Sequence, residues 1–483
     1  MTVTFPLAAA FLLLQAPASA PDVQQVLRRF ASVYAAVERE SADPVDPSRA
    51  IYEGAIPGML RRLDPHSVFM DTGQFQQLKQ LQQSTSKGFG SVVSVVPGRV
   101  IFLQTLPGTP SGRAGLGPGD EIVAINGIRL DRLEIEQLIG LLGEARREQV
   151  RLDVRRPGNA RLLQFVLTPE DMQAPSVDRA FLLRPGIGYV RVASFDVETG
   201  KEVREAISKL GGDNLKGLVF DLRNNPGGVL PAALEVASLF LNPGQIILSV
   251  QGRAVAGKQE KATAQGLAYK FPLAVLVNGK SASASEIVAG ALQDHDRARI
   301  VGEPSFGKGL VESVYSLSQD TGLALTTAFY FTPSGRSIQR PLDFGQLAHR
   351  DSAGKAYRTD AGREVRGGGG IHPDRVVSPE AVSRLRAVLE GSASFTSFAV
   401  EYVRKNGKPA ADFEVSGALL DEFQVYLSQR SIRPSVGEWS VDREWIRSRL
   451  REEIITQALG VEKGDEISIA RDPQVKEALR ALP

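Results

Sequence analysis

The stretch FPLAVLVNGKSASASEIVAGALQ, residues 271–293, decides how this chain is read. Phe271 to Val277 is an apolar run of strand length, and from Glu286 to Gln293 the pattern turns helical. Three serines, Ser281, Ser283 and Ser285, therefore stand where a buried strand ends and a helix begins. Such a junction exposes a hydroxyl beside backbone N–H groups that have no partner inside the helix, and those groups can stabilise a developing oxyanion. A serine hydroxyl is a weak nucleophile and needs a base. Lys308, flanked by Gly307 and Gly309 and 25 residues after Ser283, is the candidate. The chain has four histidines. His295 follows Ser283 by 12 residues, roughly 18 Å along a helix at about 1.5 Å per residue, which is out of reach. His66, His349 and His372 fall in turn-like or Gly-rich contexts and read as loop residues. Composition alone does not choose among the three serines, and Ser285 and Glu286 are natural residues of a first helical turn.

A second strand, Leu215 to Leu222, runs into Asp221-Leu222-Arg223-Asn224-Asn225-Pro226-Gly227-Gly228, whose last glycine lies 55 residues before Ser283. An aspartate there ties down its own turn rather than orienting a base. Glu303, in Val301-Gly302-Glu303-Pro304, likewise reads as a structural partner. From about Ile51 to Asp374, the order of Leu63-Asp64-Pro65-His66-Ser67, the Gly-Gly turn, the serine elbow and Gly307-Lys308-Gly309 resembles the C-terminal processing (tail-specific) serine peptidases. Ser334-Gly335-Arg336-Ser337-Ile338-Gln339-Arg340 also matches that family. The resemblance implies a crotonase/ClpP-like layered α/β peptidase core with an inserted PDZ domain and helical N- and C-terminal regions. It implies Ser283 as nucleophile, Lys308 as general base, and the N–H groups of Gly228 and Ala284 as the oxyanion hole. One position departs: four residues after the lysine the family commonly carries a glutamine that orients the amine, and this chain has Glu312. An ionised carboxylate there favours the ammonium form, which opposes use of the lysine as a base.

Between Lys87 and Thr168 the composition changes. Gly88-Phe89-Gly90-Ser91 leads into the strand-like Val92 to Val96, followed by Arg99 to Gln104, a Leu116-Gly117-Pro118-Gly119-Asp120 turn, Asn126-Gly127, a helix near Leu133 to Glu144 and a strand at Val150 to Arg155. This looks like a PDZ module. Its Gly-Phe-Gly loop offers backbone N–H groups to a terminal carboxylate, and the strand behind it accepts a peptide by edge pairing. Gly88, Phe89, Gly90 and Ser91 are the candidate substrate-binding residues.

The remaining patterns divide the chain into a signal segment (1–20), an N-terminal helical region (21–84), the PDZ module (85–170), the peptidase core (171–378) and a C-terminal helical region (379–483). In the core, strands and helices alternate, which argues for a layered α/β, multidomain fold. The predicted strands are 187–192, 215–222, 246–250, 273–277 and 298–301, and the helices 199–210, 230–241 and 285–293. An antiparallel pair is expected over 310–317 and 323–332, turning at Gln319-Asp320-Thr321-Gly322, and a loop over 343–370. The last hundred residues read as charged amphipathic helices without catalytic signature; dimerisation and packing on the core both fit them.

At 483 residues and 42% hydrophobic, the chain holds enough apolar surface for several packed domains. A net charge of +2 gives no nucleic-acid signal. The absence of cysteine excludes disulfides, thiolate metal sites and a lipoprotein anchor. No metal-ligand or phosphate-cradling motif is present, so neither metal nor cofactor is expected. Phe5 to Leu14 is an apolar run followed by Ala16-Pro17-Ala18-Ser19-Ala20, which reads as a secretory signal, either cleaved or retained as an anchor in the inner membrane. The expectation is a periplasmic or secreted serine endopeptidase with a Ser283–Lys308 dyad. It acts on protein or peptide substrates with apolar C-termini, with a homodimer or an activating adaptor protein as further partners. The rival reading is a catalytically silent scaffold that binds peptide tails or apolar ligands on the same fold.

Overall fold

The computed structural model describes residues 22–82, 85–173, 175–254, 256–263, 268–317, 320–342, 355–410 and 412–482. The signal segment, His349 and the first part of the expected 343–370 loop lie outside them. Among the described residues no helix is long and apolar enough to cross a membrane. Two compact units divide near residue 70.

In the first unit, helix α1 (Val23–Glu40) is capped by the Asp22 side chain, which accepts from Gln24 N. Its apolar residues recur at three- and four-residue steps, yet none is buried. Further on, Asp64 accepts from the N–H groups of His66 and Ser67 and from the Ser67 hydroxyl, each at 2.7 Å, so the Asp-Pro-His-Ser motif is a self-tied turn.

In the second unit the PDZ module forms a sheet ordered β1 (Ser91–Val96), β2 (Arg99–Thr105), β3 (Glu121–Ile125), β4 (Val150–Arg155), β5 (Leu163–Leu167). Strands alternate sides, so Val100, Phe102, Ile122, Leu152 and Val154 fall on one face and build a core with Leu138 of helix α2 (Ile135–Ala145). Thr85–Gly88 pairs antiparallel with Glu170–Gln173, so the chain enters and leaves the module side by side.

The peptidase core is a six-stranded sheet ordered β6 (Val177–Arg184), β7 (Ile187–Val192), β8 (Gly217–Asp221), β11 (Leu273–Val277), β12 (Arg299–Gly302), β15 (Arg375–Val376). Only β6 is antiparallel to its neighbour. Parallel strands are covered on both faces and therefore read as unbroken apolar runs, and every residue of β8 and β11 is buried. On one face α3 (Thr199–Leu210), α4 (Leu230–Ser238) and α5 (Ala284–Asp294) pack through Ile207, Val236 and Val288 against Phe220 and Val275. A second sheet joins the same core: β9 (Ile246–Gln251) pairs antiparallel with β10 (Lys258–Lys261) and β14 (Gly322–Phe331), and β14 with β13 (Leu310–Ser316). The described part of the expected 343–370 loop contains a short hairpin, Ala356–Arg358 with Glu364–Arg366.

The C-terminal helices divide their work. Phe395 and Phe398 of α6 (Ser394–Asn406) and Ile446 and Leu450 of α7 (Val436–Leu459) share a core with Phe423. Helices α8 (Val461–Arg471) and α9 (Pro473–Ala481) instead cover the other face of the six-stranded sheet, with Ile469, Val475 and Ala478 on Tyr189, Val219, Ala274 and Val301. Of the two expectations for this region, packing on the core describes these last helices.

Candidate active site

Six residues after β11 ends, Ser283 adopts φ 52°, ψ −111°, a left-handed conformation that costs a non-glycine residue energy and persists only where its surroundings impose it. The surroundings are the Asp221–Gly228 turn. Ala282 N donates to Asn225 O at 3.0 Å, the Asn225 side chain accepts from Gly227 N at 2.8 Å, and Asn224 and Asn278 exchange two hydrogen bonds of 3.0 Å. Ser281 donates to Leu222 O at 2.8 Å and Ser285 to Asn225 O at 3.0 Å, so two of the three serines lace the elbow to the turn. Ser283 is half-buried between them.

Gly227 and Gly228 have φ of 101° and 152°. A Cβ on Gly227 would stand 2.9 Å from Ser283 Cβ and 3.0 Å from Ala284 N, and one on Gly228 would stand 1.8 Å from Phe195 O. Only glycine lets this turn press against both the elbow and the chain behind it. Ala284 is the first residue of α5, where the N–H has no acceptor within the helix.

Lys308 reaches the elbow through Glu286. One carboxylate oxygen of Glu286 accepts from Ser283 N and from Lys308 N, each at 2.9 Å; the other accepts from Gly307 N at 2.7 Å and Ser305 Oγ at 2.5 Å. Burial raises this carboxyl to about 7, against the pull of the four donors. Sequence reasoning saw Glu286 only as a first-turn helix residue; the signal that it does more was its place in the elbow, three residues after Ser283. The Tyr330 hydroxyl donates to Ser283 O at 3.3 Å, and burial first, then the Glu286 charge, push the phenol well above its ordinary range, so it stays a donor.

The Gly307-Lys308-Gly309 backbone lies on residues 339–340. Gly309 N donates to Gln339 Oε1 at 2.8 Å, Arg340 N donates to Gly307 O at 2.9 Å, and a Cβ on Gly309 would stand 3.0 Å from Gln339 N. Arg336 of the same motif is fully buried and donates to Asp294 and Gln293 at the end of α5, each at 2.8 Å. The Ser334–Arg340 segment thus ties the lysine loop to the serine helix. The Lys308 amine meets Glu312 at 3.0 Å, with both side chains about three-quarters buried. His295 caps α5, bonded to Asp360 and Ile246 O at 2.7 Å each. Asp221 accepts from Tyr189, Arg223 N and the Arg223 guanidinium, the turn-anchoring role its position implied.

In the PDZ module, Gly88 ends its strand, Phe89 packs on the module core and Gly90 has φ 72°. Ser91 begins β1, a terminal strand of the sheet, and α2 packs against that strand. A Cβ on Gly90 would stand 2.2 Å from Thr109 Cβ. The Phe89 and Gly90 carbonyls accept from Ser111 N at 2.9 Å and Leu106 N at 2.8 Å. Among the described residues no cluster of three His, Asp or Glu side chains is arranged to hold a metal.

A strained serine elbow on a mostly parallel sheet, a lysine loop bonded to the same carboxylate and a PDZ-like module are together the features of a serine peptidase carrying a PDZ domain. Residues 186–343 match Peptidase family S41, and residues 102–156 match a PDZ domain. A carboxy-terminal-processing protease of Bartonella bacilliformis is 36% identical over 318 residues, covering 65% of this chain and 72% of that protein. The chloroplastic carboxyl-terminal-processing peptidase 2 of Arabidopsis thaliana is 35% identical over 319 residues, 62% of this chain and 61% of that one. A solved photosystem II D1 C-terminal processing protease is 28% identical, with a TM-score of 0.41, over 78% of this chain and 97% of that one. The chain belongs to the carboxyl-terminal processing proteases of peptidase family S41, serine hydrolases of the peptide bond.

Proposed function

We propose that this protein is a secreted endopeptidase that cleaves proteins near their apolar C-terminal tails with a Ser283–Lys308 dyad. The supporting observation is the Glu286 oxygen that holds the backbone of Ser283 and of Lys308 together. In this reading the unprotonated Lys308 amine takes the proton of Ser283 Oγ as the oxygen attacks the scissile carbonyl. The N–H groups of Gly228 and Ala284 receive the oxyanion. The ammonium then gives its proton to the leaving amine, and water, deprotonated in turn by Lys308, releases the acyl group. The PDZ module captures the tail: its terminal strand adds the peptide by edge pairing and the Gly88–Ser91 loop takes the carboxylate. Its partners are protein or peptide substrates with apolar C-termini, with a homodimer or an activating adaptor protein as further partners, and the Phe5–Leu14 run carries export to the periplasm or beyond.

The Lys308–Glu312 ion pair favours a second reading, a scaffold that binds tails without cutting them, because it engages at 3.0 Å the amine that would act as base. Incubating the purified protein with a peptide that has a free apolar C-terminus, beside Ser283→Ala, separates the two. Cleavage by the parent and none by the variant is expected. Binding without cleavage by either protein from pH 6 to 10 would support the scaffold.

A further inference from the structure

The turn that carries Gly228 is tied down at its far end by backbone, with Val229 N donating to Phe195 O at 2.9 Å. At its near end it is held to the elbow by Asn224 and Asn225, and Arg223 adds an anchor that reaches away from the elbow. That guanidinium is 15% exposed and forks onto Asp221, which is 1% exposed, with Nη2 at 2.6 Å and Nε at 3.0 Å. Its remaining nitrogen, Nη1, donates to Asp472 Oδ2 at 2.6 Å and to Gln474 Oε1 at 2.8 Å, 249 and 251 positions along the chain. Asp472 caps α9 through its other oxygen, accepting from Gln474 N at 2.7 Å and Val475 N at 3.2 Å. Gln474 is also bonded, through Nε2, to Val377 O at 2.8 Å. Helix α9 is fixed in turn by the apolar face it lays on the sheet. Between Arg223 and Val229 the backbone passes through positive φ at Asn224, Gly227 and Gly228, so the turn has little intrinsic preference for its shape and takes it from its anchors.

We propose that Asp472 and Gln474 are positioning residues for the reaction: from the C-terminal helix they fix Arg223, and through it the aim of the Gly228 N–H at the developing oxyanion. The inference rests on the reading of Gly228 as an oxyanion donor. Both residues lie outside the stretch that matches the peptidase family, which ends at residue 343. Charge-assisted hydrogen bonds in a partly buried network help to hold such a turn, and an oxyanion donor out of line loses most of its effect in the transition state alone.

The test uses the full-length protein. Asp472→Asn keeps a capping oxygen for α9 and removes the charge facing Arg223; Gln474→Ala keeps the charge and removes one acceptor. Expected are a kcat lower by about 10- to 100-fold for Asp472→Asn and about 3- to 10-fold for Gln474→Ala, on the scale seen when an oxyanion donor is disturbed or lost. KM should stay within about twofold, and affinity for a peptide aldehyde, which forms a tetrahedral adduct, should fall in parallel with kcat. If Asp472→Asn does not fold, Gln474→Ala carries the same readout. Parental kcat in both folded variants, or a fall in melting temperature with kcat and aldehyde affinity intact, would overturn the proposal. Ser283→Ala is the control: if it still cleaves, the active-site reading fails and takes this inference with it, whereas a dead Ser283→Ala beside fully active Asp472→Asn and Gln474→Ala sinks this inference alone.

Discussion

Two of the elbow serines are structural, and their removal should be felt differently from that of Ser283. Ser281→Ala and Ser285→Ala each remove a hydrogen bond that laces the elbow to the turn, at about 0.5–1.5 kcal/mol, so both should lower the melting temperature and still cleave when folded. Ser283→Ala should melt near the parent and not cleave. Glu286 supplies a pH prediction of two opposite signs. Its folded carboxyl is raised from 4.5 to about 7, so its contribution to stability is present below about pH 4.5 and is lost as the pH rises to about 7, roughly 3 kcal/mol at ~1.4 kcal/mol per pH unit. Activity should rise over the same interval, because only the carboxylate accepts all four donors that align Ser283 and Lys308. Denaturant melts at pH 5 and 7 with Glu286→Gln check this: the variant should lose the slope and have a lower kcat, and a parental slope would discharge Glu286. At Glu312, Glu312→Gln removes the charge 3.0 Å from the Lys308 amine. It should raise turnover near pH 7, and unchanged turnover would uncouple Glu312 from the base.

At the scale of elements, the PDZ strand and loop make a site whose energetics rest on a terminal charge. A charge-assisted hydrogen bond contributes about 1.5–3 kcal/mol, so amidating the C-terminus of a tail peptide should weaken its binding to the inert Ser283→Ala protein about tenfold or more, measured by calorimetry. Equal affinity for the free and amidated peptides would remove the carboxylate role of Gly88–Ser91. The strands and helices of the core were legible because their causes are local. Leu273–Val277 and Thr199–Leu210 form where apolar period and end signals place them. The hairpin within 355–370 was not legible, since its two three-residue strands are too short to show a period.

At the scale of the molecule, the six-stranded sheet is finished by helices far away in sequence. Val475 is fully buried on its second face. Val475→Ala, which removes buried methyl groups there, should cost about 2 kcal/mol, read as a lower denaturant midpoint with an unchanged m-value. A parental midpoint would show that α9 contributes little to the core. The amphipathic pattern of residues 379–483 announced helices that bury one face, but not which surface receives it, because a helical period records a face and not its partner.

What the sequence determined by itself follows from chemistry between near neighbours: a strand running into a serine-bearing helix start, glycines at turns that need positive φ, a PDZ-like loop before an edge strand, and the family these motifs carry. The tertiary structure alone decided which oxygen unites Ser283 with Lys308, why Ser281 and Ser285 serve the scaffold, and that Asp472 meets Arg223. Each of those is a hydrogen bond between segments distant in the chain. Residue type states what a group can donate or accept, and only the packed fold brings one donor and one acceptor to 2.9 Å.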